Sequence, residues 1–450
     1  MRAYFSFMAK LELLLFFSCL INIQIKAQQP PDSLRKDQSW NFHFQNTVIW
    51  QYHPDFQAKY SGTNSLNSQT ESTISITGTL FFGSKLWKGA TAYFNPEISG
   101  GSGFSQTRGA AGFPNGEVYR VSDAAPKVYV GRLFVRQVIP LSNEFKFVED
   151  NINHVAQKEP TSYVAIYVGK FSVMDYFDGN AYSHDARKQF YNWALMGNPS
   201  WDYPANTRGY TYGVVAELVK PQWALRLGTV LMPKSANGWI MDPDIANARA
   251  QAIEFEHKYN LGSHAGTIHF ISYLNQSRMG NYRQAVDWGI DRSTTPAFDS
   301  VSQVGRTKYG FGVNIEQALS KNTGFFLRAG WNDGRNETWV FTEIDRHLSL
   351  GLSFNGASWD REDDILGIAQ VVNGISNDHR NYLKSGGYGF IIGDGALTYG
   401  SEWITEIYYS FKLPHYGLWI SPDYQFIMNP AYNKDRGPIH AIGVRLHAEF

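Results

Sequence analysis

Leu348-Ser-Leu-Gly-Leu-Ser-Phe-Asn355 alternates large apolar side chains with small or polar ones. Leu348, Leu350, Leu352 and Phe354 share one face, and the residues between them share the other. Successive side chains of a β-strand point to opposite faces, so a period of two over this length predicts a strand with one apolar face. An amphipathic helix would instead repeat its apolar positions about every three to four residues.

The same alternation recurs along the whole chain and predicts an all-β fold. Aromatic residues make up 15% of the sequence and glycines number 41, which favours strands and turns over helices. Sixteen segments pass the test: 42–52, 73–82, 90–98, 129–139, 163–171, 210–219, 222–231, 251–260, 265–275, 307–318, 323–332, 347–355, 365–372, 402–411, 417–428 and 440–450.

Long and short connections alternate between these segments. The long ones are 53–72, 99–128, 172–209, 232–250, 276–306, 333–346, 373–401 and 429–439; the short ones are 83–89, 220–221, 261–264, 319–322, 356–364 and 412–416. This layout predicts a transmembrane antiparallel β-barrel of about sixteen strands, an up-and-down meander with long extracellular loops and short periplasmic turns. Segment 140–162 falls where a short turn belongs, and we expect a helix across Phe145 to Val155.

Aromatic residues near strand ends are expected to form the girdles that border membrane lipid. They are Trp50, Tyr52, Tyr93, Phe94, Trp331, Tyr408 and Tyr409. The final segment carries an apolar stripe that finishes at Phe450. A terminal phenylalanine on an amphipathic strand is typical of the signal that bacterial barrel-insertion machinery reads, so we predict that role for Phe450.

The N-terminus has the pattern of a secretory signal peptide. Arg2 and Lys10 precede the mostly apolar stretch 11–23, and Ala27 is a small residue suited to cleavage. We therefore expect a signal peptide over 1–27, a short periplasmic segment over 28–41 and a barrel domain over 42–450. Cys19 is the only cysteine, which excludes a disulfide framework and any multi-cysteine metal site.

Several stretches resemble the carbohydrate-selective porins of the OprB type. They are Val168-Gly-Lys-Phe-Ser-Val-Met-Asp-Tyr-Phe-Asp-Gly-Asn180, Asp185-Ala-Arg-Lys-Gln-Phe-Tyr-Asn192, Trp359-Asp-Arg-Glu-Asp-Asp-Ile-Leu-Gly367, Ser421-Pro-Asp-Tyr-Gln-Phe-Ile-Met-Asn-Pro430 and the terminal Gly443-Val-Arg-Leu-His-Ala-Glu-Phe450. The resemblance covers roughly residues 42–450. It implies a sixteen-stranded channel of the bacterial outer membrane that takes up mono- or oligosaccharides passively. The 140–162 insertion departs from a minimal porin turn.

Charge and motifs argue against other classes of protein. The 40 basic and 40 acidic residues give a formal net charge of zero, whereas nucleic-acid binders carry a basic excess. No nucleophile elbow, zinc-protease motif or Walker loop occurs. The acidic run at 360–364 lacks EF-hand spacing and is better explained as a solvated turn. We expect no catalytic residues, no cofactor and no metal.

Alternation also predicts which side chains line the channel. Arg132 and Arg136 should face inward from one wall, with Leu133 and Val135 facing lipid. A sugar filter needs charged and amide groups that replace water at the hydroxyls, and binding weak enough for release. Further inward candidates are Asn95, Glu97, Glu217, Arg226, Arg328, Glu402, Glu406 and Arg445. The alternative for each residue is that it is a charged side chain of the channel wall that faces water and has no part in selecting sugars.

Loop 172–209 is the second candidate for the filter. It is rich in aromatic residues, including Tyr176, Phe177, Trp193 and Trp201, which would be poorly placed in water. We expect it to fold into the barrel and narrow the pore, where aromatic rings can pack on sugar faces. The alternative is a packed lid without sugar contact.

Three functions remain open from the sequence. The first is a sugar-selective outer-membrane porin, and the second is a general diffusion or anion porin in the same membrane. The third is a secreted β-sandwich or propeller that binds or cleaves glycans. A need for detergent separates the two membrane channels from the secreted protein.

Overall fold

Sixteen strands form one closed antiparallel barrel in the computed structural model, which describes residues 36–118, 125–414 and 416–450. The expected signal peptide, with Cys19, lies outside these residues. The barrel strands are β1 Trp40–His53, β2 Glu71–Lys85, β3 Ala90–Gly101, β4 Lys127–Pro140, β7 Tyr163–Phe171, β8 Thr211–Val219, β9 Trp223–Leu231, β10 Arg249–Leu261, β11 His264–Met279, β12 Gln303–Ala318, β13 Thr323–Asn332, β14 Arg346–Asn355, β15 Ile365–Gly374, β16 Glu402–Lys412, β17 Leu418–Met428 and β18 Ile439–Glu449; β5 Phe145–Val148 and β6 Gln157–Pro160 form a separate hairpin.

All sixteen strand predictions are confirmed, with small shifts at the ends. Each barrel strand pairs with its neighbour in the order of the chain, and β1 pairs with β18 to close the ring. The closing register runs from Gln45 opposite Glu449 to Tyr52 opposite Ile442. Closure leaves no free sheet edge, as hydrocarbon requires of any strand-built span.

The insertion at 140–162 is a β-hairpin, and the expected helix across Phe145 to Val155 is wrong. Phe145 pairs with Pro160 and Val148 pairs with Gln157, in a two-stranded sheet of their own. Aromatic and β-branched residues favour extended backbone, which explains the strand at 145–148. Asn153 takes a positive φ of 53° at the turn, a conformation that asparagine tolerates.

Two short helices lie in long connections where the sequence pattern gave no helix. They are α1 Tyr282–Arg292 and α2 Asn377–Lys384. Asn281 caps α1 by accepting a hydrogen bond from the Gln284 backbone, and Ser376 caps α2 in the same way at His379. Within the described parts of the chain, no helix is long and apolar enough to cross a membrane.

The two faces of the barrel wall sort as alternation predicts. Leu350 is 46% exposed on the outer face, whereas its neighbour Ser349 is completely buried on the inner face. Trp50, Phe94 and Trp331 are also exposed on the outside. Two aromatic residues expected in the outer girdles, Tyr93 and Tyr408, instead face inward and are each 1% exposed. Both lie on the polar side of their strands by parity, and packing within the lumen offsets the loss of lipid contact.

The packed core of the molecule lies inside the barrel. Its largest fully buried side chains include Trp201 and Tyr191 from the connection between β7 and β8, together with Arg328 and Arg445 from the wall. A tightly packed interior resembles that of a soluble protein rather than an open tube. Much of the lumen is therefore filled, and any path for a solute must run beside this core.

The outward placement of Leu350 gives a test of the register. Leu350→Arg would set a charge in hydrocarbon and should destabilise the barrel by about 2–4 kcal/mol in a bilayer. Ser353→Arg, on the inner face of the same strand, is the matched control and should cost less. Ser349 is unsuitable as a control because its full burial would make a large side chain a test of packing.

The measurement is reversible denaturant unfolding of both variants in lipid vesicles. An equal loss of unfolding free energy in Leu350→Arg and Ser353→Arg would show that the outer and inner faces of β14 are assigned wrongly. A slip of one residue in the register moves every side chain to the other face.

Candidate functional site: the barrel lumen

The connection between β7 and β8, residues 172–210, folds into the lumen as expected. Asp178 is its first anchor: its carboxylate lies 3.2 Å from the Arg328 guanidinium, and both side chains are fully buried. The Asn314 amide donates to the same carboxylate at 2.9 Å, and the Asp178 backbone N–H donates to Glu254 at 2.6 Å. Buried charges are tolerated when they are paired and hydrogen-bonded in this way.

A second group of wall residues holds the middle of the same loop. Glu406 accepts hydrogen bonds from the backbone N–H groups of Tyr191 and Asn192. Arg445 donates to the carbonyl oxygens of Ala186 and Gln189, at 2.7 Å each. Arg445 also stacks over the Tyr191 ring, 4.5 Å from its centroid. These inward charges therefore bind loop backbone.

The connection between β3 and β4 also reaches inward. Glu402 accepts from the backbone N–H of Ala111 at 3.0 Å and of Gly112 at 2.6 Å. The Asn192 amide donates to the Gly112 carbonyl oxygen at 2.9 Å, which joins the two loops. Together the two loops contact much of the wall, including β10, β11, β16 to β18, β1 and β2.

Two cavities lie along the wall formed by β2 to β4 and β7 to β10. The outer cavity, of about 150 Å³, lies toward the long-loop end and is lined by residues that include Glu97, Glu117, Arg187, Arg208 and Tyr210. The inner cavity, of about 600 Å³, lies toward the short-turn end and is lined by residues that include Arg136, Tyr163, Tyr167, Glu217 and Arg226. Arg132 lines both cavities.

Arg132 is held at this junction by Asp175. Its Nε donates to Asp175 Oδ2 at 2.7 Å and its Nη2 donates to Asp175 Oδ1 at 2.6 Å, a bidentate pair. Asp175 is fixed in turn by the Ser172 backbone N–H, which donates to it at 3.1 Å. The Arg132 guanidinium also lies 5.3 Å from the centre of the Tyr210 ring. Both charged side chains keep part of their surface exposed, 15% and 25%.

A β-bulge opposite Pro96 brings Tyr129 to the same wall as Arg132. Asn95 pairs with Arg132, but Pro96 pairs with Val130, so one residue of β4 is left over. Proline has no backbone N–H and cannot donate to the ladder, which explains the break. Strict alternation from Arg132 would point Tyr129 toward lipid. The bulge reverses its side, and the Tyr129 hydroxyl donates to Glu97 instead.

Charges of opposite sign are paired around the outer cavity. Arg187 binds Glu97 at 3.1 Å and Glu117 at 2.9 Å, and Tyr210 donates to Glu97 at 3.0 Å. The sequence pattern nominated only Glu97 among these four. Arg187 and Glu117 lie in connecting segments, where alternation gives no direction, and Tyr210 begins the predicted segment 210–219 but precedes β8 in the structure.

The inner cavity has a similar mixture of charges. Arg226 contacts Glu217 at 2.8 Å, Glu254 at 3.0 Å and Glu256 at 2.6 Å. Arg136 pairs with Glu159 of the β5–β6 hairpin. Burial opposes ionisation of the Glu159 carboxyl, but hydrogen bonds from His154 and Arg136 outweigh burial and hold its pKa below the ordinary value.

Four other predicted pore residues line neither cavity: Phe177, Trp201, Arg328 and Asn95. Phe177 and Trp201 pack against each other with ring centroids 5.9 Å apart, inside the core. Arg328 binds the loop, and the fully buried Asn95 amide has no hydrogen-bond partner among the described residues. Tyr176 and Trp193 do reach the cavities, Tyr176 the inner one and Trp193 the outer one.

Known proteins match both the sequence and the fold. Residues 84–450 match the family model of the carbohydrate-selective porins, OprB family. A search of curated proteins found no match. Among solved structures, OprB of Pseudomonas putida superposes with a TM-score of 0.69 at 14% identity, over 92% of this chain and 94% of that one. The outer membrane channel DcaP of Acinetobacter baumannii gives a TM-score of 0.49 at 8% identity, over 91% and 97%.

The fold likeness alone would show only a porin-type barrel, since the identity to these structures is low. The family match is the stronger finding because it spans most of the chain, from β2 to Phe450. The chain therefore belongs to the OprB family of carbohydrate-selective porins and forms a passive sugar channel in the bacterial outer membrane.

Proposed function

We propose that sugars pass from the outer to the inner cavity beside the Arg132–Asp175 pair, and that this passage is the selective step. The observation that carries the proposal is the position of Arg132, which lines both cavities. Other inward charges, such as Arg328, Glu406 and Arg445, hold loops instead.

The chemistry of the junction suits a neutral polyol. The guanidinium offers donors and the carboxylate offers acceptors, so sugar hydroxyls can exchange water for directional hydrogen bonds. Tyr176 and Tyr210 border the same passage and add ring faces for the C–H surface of a pyranose. Since Arg132 and Asp175 cancel in net charge, the passage attracts neither cations nor anions strongly. The contacts are few, which keeps binding weak enough for release.

We also propose that β18 with Phe450 is what the barrel-insertion machinery recognises. Support comes from the apolar outer stripe of β18 and from the position of Phe450 at the seam. The Phe450 backbone exchanges hydrogen bonds with Phe44 at 2.8 and 2.9 Å, and the two rings stack with centroids 6.4 Å apart. Phe450 thus has two separable roles, in recognition and in closure.

The selective step is tested by Arg132→Ala. Removing the guanidinium deletes charge-assisted hydrogen bonds worth about 1.5–3 kcal/mol each, so sugar affinity should fall about tenfold or more. The passage should also widen, so ionic conductance should rise. Planar-bilayer recordings with and without glucose measure both effects.

Arg132→Lys is the control for this variant, because it keeps the positive charge but loses the bidentate pair with Asp175. Its sugar affinity should lie between those of wild type and Arg132→Ala. Wild-type conductance and sugar block in Arg132→Ala would place the selective step elsewhere in the lumen.

The role of Phe450 is tested by deleting it and comparing two assembly assays. In cells, the deletion should lower the amount of folded barrel in the outer membrane and raise periplasmic degradation. In refolding into pure lipid vesicles, where no machinery is present, the yield should change much less.

Phe44→Ala is the matched variant, since it removes the same ring contact but keeps the terminal phenylalanine. It should assemble better in cells than the Phe450 deletion. If deleting Phe450 lowers the yield of folded barrel equally in cells and in pure lipid vesicles, Phe450 acts only in closing the barrel and is not recognised by the insertion machinery.

A further inference from the structure

The β5–β6 hairpin extends from β4 to the nearby part of the rim formed by β1 and β2. At its tip, the Asn41 amide of β1 donates to Asp150 Oδ1 at 2.7 Å, to the Asn151 carbonyl at 3.2 Å and to the His154 carbonyl at 3.0 Å. Val155 is fully buried there, against Gly83 of β2. A Cβ at Gly83 would lie 2.8 Å from the Val155 side chain, so a larger residue at this position would have to displace it.

The base of the hairpin is fixed as firmly as its tip. Arg136 of β4 and Glu159 of β6 are 6% and 5% exposed and form a bidentate pair. His154 Nε2 lies 3.1 Å from the same Glu159 carboxylate, which ties the turn back to the base. With both ends held, the hairpin is a rigid wall rather than a free loop.

This wall closes one side of the inner cavity. Lys146, Ile152 and His154 line the cavity from the hairpin, and Tyr163 and Glu217 line it from the barrel. Its volume of about 600 Å³ falls within the range of about 300–1,000 Å³ that is usual for small-molecule sites. The cavity is therefore large enough to hold a small molecule such as a monosaccharide.

The lining has the composition of a carbohydrate site. Tyr163 is partly buried and lies at the edge of the cavity with Tyr167 and Tyr176. Around these rings, Arg136, Glu159, Glu217 and Arg226 supply donors and acceptors of both signs. Aromatic faces with mixed hydrogen-bonding groups favour a neutral ring of hydroxyls over an ion.

We propose that the inner cavity is a second carbohydrate site, on the periplasmic side of the Arg132–Asp175 passage, with the hairpin as its outer wall. A sugar ring that has left the passage packs on Tyr163 and hydrogen-bonds to His154 and Glu217 before release. This inference rests on the proposed function, because sugar must first reach the cavity through the passage or from the periplasm.

Cysteine protection tests the site directly. Cys19 is the only cysteine, so Cys19→Ser gives a cysteine-free parent. Lys146→Cys places a thiol in the inner cavity, and Phe145→Cys places one on the other side of the same strand, where the side chain is 54% exposed. The rate of N-ethylmaleimide labelling is measured for each folded protein in glucose and in sorbitol of equal osmolality.

Glucose should slow labelling of Lys146→Cys about threefold at a concentration near twice its Kd, since the free fraction falls as 1/(1 + [L]/Kd). Labelling of Phe145→Cys should not change. Protection at Lys146→Cys should disappear on adding Tyr163→Ala and persist on adding Arg132→Ala.

Three outcomes overturn the second site. The first is the absence of protection at Lys146→Cys, and the second is protection that Arg132→Ala removes and Tyr163→Ala leaves intact. Equal slowing at both cysteines would also overturn it, as a general solute effect. Glucose swelling of vesicles holding the parent protein separates the two proposals: swelling without protection contradicts only the second site, whereas no swelling contradicts the sugar channel itself.

Discussion

Closure of the backbone hydrogen-bond ladder is the constraint on which the rest of the structure depends. In hydrocarbon an N–H or C=O without a partner costs several kcal/mol, so a strand can span the bilayer only if both of its edges are paired. The seam between β1 and β18 meets this requirement, and the Phe44–Phe450 pair extends it to the last residue. Only the outer face of the closed wall contacts lipid and has to be apolar. The inner face can therefore carry charged side chains.

The inward charges divide into two kinds by what they bind. Arg328, Glu406 and Arg445 contact the backbone or buried carboxylate of loop 172–210, and so they fix the position of the loop. Arg132 also pairs with that loop, through Asp175, but at a place where both cavities reach it. An inward charge can therefore contact a solute only where loop 172–210 leaves the lumen open. Charge on the wall is not sufficient by itself.

Alternation predicted the sixteen strands well because lipid requires an apolar side chain at every second position of each strand. Contacts made elsewhere in the protein do not change this requirement. Alternation predicted the inward direction of Arg132 and Arg328 equally well, but not their different roles, since these depend on how the loop packs. The side of Tyr129 was hidden by the bulge at Pro96, and the 145–155 helix was wrong because residues 145–148 favour extended backbone and pair with 157–160. Residues in connections, such as Arg187, have no alternation to place them.

The barrel is consequently open along part of its wall and packed elsewhere. Loop contacts reach β1, β2, β10 to β14 and β16 to β18, whereas the cavities are bounded by β2 to β4 and β7 to β10. Glu254 of β10 serves both regions, because it accepts from the Asp178 backbone and also holds Arg226 at the inner cavity. The pore cross-section is then set by loop packing and not by the number of strands. Substitutions in the loop would therefore alter the pore while the strands, whose outer faces are constrained by lipid, stay the same.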